Sequence, residues 1–390
     1  MDTAYDVVVV GARAAGAGTA LLLARAGLRV LVVDRGRYGS DTLSTHALMR
    51  GGVRQLSRWG LLDRVIAAGT PPVHRTTFRY ADAVVPIVIK PSPGVDALYA
   101  PRRTVLDPIL VDAAVAAGAE VRYGVAVTDV ERDRHGTVTG IAARTRDRRP
   151  FPVRARIVVG ADGLRSTVAE RVQAPFERIG ESVAATTYGY WSGLSTDGYE
   201  WNFLPNAASG VVPTNDGQAC VYVSRRGRTP FMTVLRESSP ELAARLAAAT
   251  APRVLRTFTG RPGHLRRPWG PGWALVGDAG YFKDPLTAHG LTDALRDAEL
   301  LARAIVAVVV DEADEREVLA GYQRTRDALS AEFFALTDVI AGHRWTDEEI
   351  PVLLKRLSAA MSEEASELDR WGVVRGDDLD GRPVGADRSG

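Results

Sequence analysis

Cysteine is nearly absent from this chain. Cys220 is the one thiol in 390 residues, which excludes an intramolecular disulfide and any thiolate-held metal cluster. Lysine is almost as scarce: Lys90, Lys283 and Lys355 are the three among 49 basic residues, the rest being arginines. That bias reflects genome base composition rather than function. The net charge is +2, with no basic run interleaved with aromatics, so there is no electrostatic case for a nucleic-acid partner. No apolar run approaches the roughly 18 residues that span a bilayer. The N-terminus carries Asp2 and no basic lead, so a signal peptide is not expected and a cytoplasmic location is. What remains, 46% hydrophobic and 25% charged, is the profile of a globular chain long enough for two cores.

The first informative stretch is residues 5 to 36, "YDVVVVGARAAGAGTALLLARAGLRVLVVDRG". Val7 to Val10 reads as a buried parallel strand. Residues 14 to 26 read as a helix closed by Gly27, and Leu28 to Val33 as a second buried strand ending in Asp34. The turn between strand and helix is Gly11-Ala-Arg13-Ala-Ala-Gly16. It is a dinucleotide-binding turn with arginine where the pattern wants its middle glycine. Gly11 makes the tight turn and Gly16 lets the helix pack close. The helix N-terminus still offers N–H groups to an anion. Arg13 either adds charge-assisted bonds to a phosphate or is a surface arginine beside a looser turn. Asp34 stands where a ribose hydroxyl is bound.

Two further motifs follow. Residues 156 to 170, "RIVVGADGLRSTVAE", are a strand, then Gly160-Ala-Asp162-Gly163, then a helix start. Residues 273 to 294, "WALVGDAGYFKDPLTAHGLTDA", are a strand, then Gly277-Asp278-Ala279, a proline-containing loop, Gly290 and a long helix. Taken together and in this order, the three motifs resemble the FAD-dependent monooxygenases of the p-hydroxybenzoate hydroxylase type. The superfamily also holds flavin-dependent halogenases and geranylgeranyl reductases.

The resemblance covers roughly residues 5 to 330 and implies FAD as cofactor, NAD(P)H as reductant and O2 as co-substrate. It implies that Gly11 and Gly16 flank the pyrophosphate and that Asp34 holds the adenosine ribose. Arg103, in "RRTVLD", and Arg50, in "MRGGVRQL", would contact the flavin chain, and Asp162 and Gly163 would serve FAD and the nicotinamide nucleotide. Gly277 leads the turn in which Asp278 would bind ribitol, with Pro285 at the flavin's reactive edge. Gly290 and Leu291 would set a helix N-terminus under the pyrimidine carbonyl. His46 is either a catalytic or flavin-edge residue or a capping, buried histidine. His289 is either a site residue or a filler between Ala288 and Gly290.

The expected fold is α/β: a discontinuous Rossmann-like FAD-binding domain (1–72, 98–180 and 266–330) with an inserted, mostly antiparallel substrate sheet (73–97 and 181–265). C-terminal helices (331–373) and a disordered tail (374–390) complete it. Residues 52 to 68 read as one amphipathic helix and 104 to 118 as a helix with Asp107 and Asp112 on its polar side. Residues 121 to 147 read as a meander turning at His135-Gly136. Aromatics crowd the insert, and Tyr188, Tyr190, Tyr199, Trp201 and Phe203 are the candidate substrate contacts. No metal site is expected.

The loop "GDAGYFKDPLTAHGLT" keeps Pro285 and Gly290 but has Gly280, Tyr281, Ala288 and Thr292 where Ala, His, Gly and Asn are usual in the monooxygenases. Phe282, Asp284 and Pro285 are closer to the halogenase version, yet the halogenase Trp-x-Trp-x-Ile-Pro string is missing. "YEWNFLP", residues 199 to 205, resembles a reductase segment with one residue inserted. The resemblance implies an NAD(P)H- and O2-dependent monooxygenase that hydroxylates or epoxidises an aromatic or polycyclic small molecule of secondary metabolism via a flavin hydroperoxide, whose distal oxygen the substrate attacks. A flavin-dependent C=C reductase, and then a halogenase, are the alternatives. No side chain stands out as general base, and the assembly is expected to be a monomer or homodimer.

Overall fold

A computed structural model describes residues 5–371; the tail expected at 374–390 lies outside them. The strands Tyr5–Val10, Val30–Asp34, Val153–Gly160 and Trp273–Leu275 form the parallel centre of an eight-stranded sheet, with Glu120–Tyr123 beyond Asp34's strand. Val7 to Val10 are buried on both faces, as a central parallel strand requires. The meander strands Val125–Arg132 and Val138–Thr145 join this sheet through Val153–Gly160, with the turn at Gly136 left-handed.

The helix Ala14–Arg25 ends as expected, with Gly27 at φ +84° and Leu28 N–H bonded to Leu23 O. It packs with Arg103–Ala116 and Gly290–Val309 on one face of the sheet.

The inserted sheet has seven strands in the order Arg256–Phe258, Ala185–Ser192, Gln218–Arg225, Ala207–Pro213, Tyr199–Leu204, Arg75–Tyr80 and Ala83–Val88. All its pairings are antiparallel except that of Tyr199–Leu204 with Arg75–Tyr80. Because side chains alternate across a strand, Tyr188, Tyr199, Trp201, Phe203, Cys220 and Tyr222 share the face that joins the core of the nucleotide-binding half. Trp191 and Val221 point the other way, onto the short helices Phe231–Ser238 and Pro240–Ala247. The helices Glu315–Ala341 and Glu349–Arg370 close the molecule.

Two expectations need correction. Residues 52 to 68 are two helices, Arg50–Arg58 and Leu62–Ala67. Gly60, at φ +69°, ends the first in a turn that bonds Leu61 N–H to Leu56 O and lets both Trp59 and Leu61 face the core. Asp107 is not on a polar side: it is buried, held there by two arginines. Asp112 is exposed.

Candidate active site

The three sequence motifs meet at the C-terminal ends of adjacent parallel strands, the place where open α/β sheets bind ligands. Ala161 N–H bonds Val10 O, Gly11 N–H bonds Val33 O, and Val276 N–H bonds Gly160 O, stitching one strand end to the next. The contact is close enough to demand glycine. A Cβ on Gly11, at φ +111°, would stand 2.4 Å from Ala161 O, and one on Gly16 would stand 1.9 Å from Gly11 O. A Cβ on Gly277 would meet Ala15 Cβ at 2.8 Å. The first turn is thus wedged between the second and the third.

Asp34 accepts from Ala12 N–H at 2.8 Å and Gly36 N–H at 2.6 Å. It therefore anchors the first turn at the edge of a groove of about 450 Å³ that Gly36, Tyr38, Tyr123 and Gly124 help to line. Asp162 is engaged locally: it accepts from Ser166 Oγ and Thr167 N–H and so caps the helix Thr167–Arg171, while Gly163 at φ +79° makes the bend.

Arg13 and Arg103 share Asp107. Arg103 Nε and Nη2 reach its two oxygens at 2.9 and 3.1 Å, and Arg13 Nη1 lies 3.0 Å from Oδ2. Arg13 also donates to Ser40 O and Asp41 O. The residue at the middle-glycine position is thereby tied to the helix Arg103–Ala116 and to the loop after the second strand.

The Asp278 side chain is exposed at the end of its strand; the protein packed around it pushes its carboxyl up to about 6, while Arg103 and Lys283 pull the other way. Beyond it, Pro285 begins a short 3-10 turn capped by Asp284, and Ala288 takes φ +51°, keeping the left-handed bend that glycine usually supplies. Gly290 then starts the long helix with open space where its Cβ would be, and Leu291 is buried behind it. Its free N–H groups present the positive end of a 20-residue helix. Met49 N–H donates to Thr292 Oγ1 at 3.1 Å, bringing the start of Arg50–Arg58 beside it. The Arg50 guanidinium turns away to Ser92 Oγ and Lys90 O.

The chemistry of this donor set fits FAD: a glycine cradle on a helix N-terminus for the pyrophosphate, strand-end carboxylates for hydroxyls, Arg103 tied to the first turn through Asp107, and a second helix N-terminus.

His46 sits at φ +67° and is 1% exposed. Its Nε2 makes a short hydrogen bond to Tyr190 Oη, and the two rings stack at 5.6 Å. Arg102 lies over the Tyr190 ring at 3.6 Å and also donates to Gln218 Oε1 and Asp41. Burial, then Arg103, Arg102 and Arg256, hold His46 well below the usual imidazole pKa, so it is neutral at pH 7. Burial also raises the Tyr190 phenol.

Of the five aromatic candidates, Tyr188, Tyr199, Trp201 and Phe203 are core, and Tyr190 alone is half-buried. Phe203 packs on Trp345, and the Trp201 indole donates to Thr76. His289, a candidate from sequence, is fully buried among charges. Asp107, Arg102 and the His46–Tyr190 bond were not anticipated. The i,i+4 spacing of Arg103 and Asp107 is a readable helix signal; the 144 residues between His46 and Tyr190 leave none.

A family profile described as FAD binding domain matches residues 4–337. A digeranylgeranylglycerophospholipid reductase of Methanopyrus kandleri is 28% identical over 346 residues, covering 82% of this chain and 81% of that one. Among solved structures, the flavin-dependent brominase Bmp2 superposes with a TM-score of 0.78 at 20% identity, covering 95% of this chain and 96% of that one. PqsL of P. aeruginosa, in complex with 2-aminobenzoylacetate, does so with 0.76 at 21%, covering 92% and 100%. Among the described residues no helix is long and apolar enough to cross a membrane.

Proposed function

We propose, because the chain belongs to the FAD binding domain family, that it is an FAD-dependent monooxygenase, reduced by NAD(P)H, that inserts one atom of O2 into a hydroxylated aromatic or polycyclic small molecule. When bound, the flavin supplies the redox chemistry; the protein's part is to hold it, shape the substrate space and orient a substrate hydroxyl. Gly11, Gly16 and the helix they open would hold the pyrophosphate. Asp34 and Asp278 would take hydroxyls, and the N-terminus at Gly290 would face the ring's pyrimidine side.

The observation that carries the choice of reaction is the neutral His46 on Tyr190. Burial and three arginines keep this imidazole neutral. With its proton on Nδ1, Nε2 accepts from Tyr190 Oη, and Tyr190 Oη, its own hydrogen committed to His46, in turn accepts a hydrogen bond from a substrate hydroxyl. Holding that hydroxyl by its hydrogen orients an aromatic ring and makes it more electron-rich, which is what oxygen transfer to carbon needs. Alkene reduction needs the opposite, a ready proton donor, and a phenol with a raised pKa is a poor one. Halogenation gains no support from the lysines: Lys90 is exposed at a sheet edge and Lys283 is buried against Asp293.

A second reading, reduction of a C=C bond in an isoprenoid-like substrate, is favoured by the 28% identity to the M. kandleri reductase over four-fifths of both chains. One experiment separates them. The purified yellow protein is given NADH or NADPH in air with phenolic and polyprenyl substrates, and products are weighed. A gain of one oxygen atom supports oxygenation, and a gain of two hydrogens overturns it in favour of reduction.

A further inference from the structure

Arg13 stands at the one position of the first turn where the dinucleotide pattern has no side chain, and the four N–H hydrogens of its terminal nitrogens all have acceptors within the protein. Nη1 donates to Ser40 O at 2.7 Å and to Asp107 Oδ2 at 3.0 Å; Nη2 donates to Ser40 Oγ at 3.2 Å and to Asp41 O at 3.3 Å. To reach a phosphate the guanidinium would have to give up bonds already made, one of them to a buried carboxylate that Arg103 also holds.

What these bonds hold is a strap. Residues 35–49 join the strand Val30–Asp34 to the helix Arg50–Arg58 with no strand or helix of their own. From Arg35 to Thr45 no residue is buried, and Leu43 is 51% exposed, so apolar packing does not fix the path. Polar contacts do. Arg13 grips Ser40 and Asp41. Asp41 Oδ2 then meets Arg256 Nη1 at 2.8 Å and Arg102 Nη2 at 3.4 Å. Ser44 N–H donates to Tyr188 Oη at 3.0 Å, and Ser44 Oγ accepts from His46 N–H at 3.1 Å. The strap ends in His46, at φ +67° and bonded to Tyr190. That backbone conformation is unfavourable for a residue with a Cβ and persists only where the surroundings hold it.

We propose that Arg13 is a positioning residue that fastens residues 40–46 to the cofactor turn, and so presents His46 to Tyr190, rather than a ligand of the dinucleotide phosphate. This role rests on the reading that FAD fills the cleft and that Tyr190 receives the substrate hydroxyl.

The planar fork of arginine can bridge three residues at once, whereas lysine is a single point of charge. Removing Arg13 leaves Asp107 paired with Arg103, and the extended backbone at position 13, φ −93° at the N-cap of Ala14–Arg25, suits glycine. Arg13→Gly therefore restores the usual residue of the pattern with a local loss. With the strap untied, a substrate must order it on binding, and a competent state that is only partly populated weakens apparent affinity by that fraction. The cost falls on KM.

The test compares wild type with Arg13→Gly and Arg13→Lys; lysine keeps the charge but cannot span Ser40, Asp41 and Asp107 together. In the apoproteins the amides of Thr42, Ser44 and His46, each hydrogen-bonded in this strap, should exchange about tenfold faster in both variants, with exchange over 7–25 unchanged. FAD affinity should stay within about twofold of wild type in both, while KM for the phenol that turns over fastest rises about tenfold with kcat held. FAD binding weakened by Arg13→Gly and restored by Arg13→Lys would make Arg13 a phosphate ligand and overturn the proposal. Unchanged amide exchange overturns the strap, and faster exchange with unchanged KM overturns its link to the substrate. A wild-type protein that takes up no flavin would instead overturn the FAD reading, while exchange in the apoproteins still decides whether Arg13 holds the strap.

Discussion

Tyr190 is where the proposed chemistry can be removed without disturbing the fold. It is half-buried, and its hydroxyl serves His46. Tyr190→Phe should keep the flavin colour and the rate of flavin reduction by NAD(P)H, while turnover of a hydroxylated substrate falls on the order of 10²-fold, as misplacement of a reacting group does. Stopped-flow reduction and steady-state product formation measure the two separately. The glycines make a second, opposed pair. Gly16→Ala places a methyl 1.9 Å from Gly11 O and 3.0 Å from Ala161 Cβ, so it should lower Tm sharply and yield apoprotein that stays colourless with added FAD. Gly290→Ala meets nothing within 4 Å; the apoprotein should melt as the wild type does, while FAD titration shows weaker binding. At this scale Gly11, Gly16, Asp34 and Asp278 were legible, because a buried β-branched run followed by a glycine turn marks a strand end by itself. The His46–Tyr190 pair was not, because its bond depends on how a distant sheet is laid over the first loop.

Among the elements, the helix Gly290–Val309 carries an unusual load of buried charge. Arg296 is 1% exposed and bonded to Asp297, Glu364 and Ser330. Arg296→Ala leaves those carboxylates buried without their cation and should cost about 3–5 kcal/mol, read as a fall in denaturation midpoint at unchanged slope. The helices that start at Ala14 and Gly290 were readable from their sequence, whereas Tyr199, Trp201 and Phe203, expected as substrate contacts, lie together in the core. The failures have physical causes. The apolar repeat runs on through Trp59 and Leu61, so nothing but Gly60 signals that one helix is two. Asp107 falls on the polar side of its own helix, and its burial comes from Arg13, 94 residues away, and from a helix packed above it. Helical periodicity describes one element at a time and is blind to a partner that arrives from another.

For the molecule as a whole, pH acts on two opposed sets of buried groups. His46, His264 and His343 are depressed by burial, the latter two to about 4. The unfolded chain protonates them near pH 6.5, so the stability they allow is present above that value and is lost as pH falls toward 4. Asp284 is raised by burial, to about 7. Its contribution is present below the unfolded carboxyl value of about 3.8 to 3.9 and is lost as pH rises through 7. Asp284→Asn keeps the acceptor that holds Leu286 N–H and removes the ionisation. The apoprotein variant should therefore gain melting temperature over wild type at pH 8 and gain less at pH 4; equal shifts at both would contradict the assignment.

The wedge of Gly11 and Gly16 against Ala161, with Gly277 against Ala15, draws no atom from residues 181–265. The insert meets the nucleotide half through the apolar face of Tyr188, Tyr199, Trp201 and Phe203 and through polar contacts of Ser44, His46, Ala68, Ala100 and Arg102 with Tyr188, Tyr190, Thr214, Asn215 and Gln218. The scaffold is therefore modular in a specific sense: exchanging the sheet at those borders would reshape the space above the loop while the glycine floor keeps its shape.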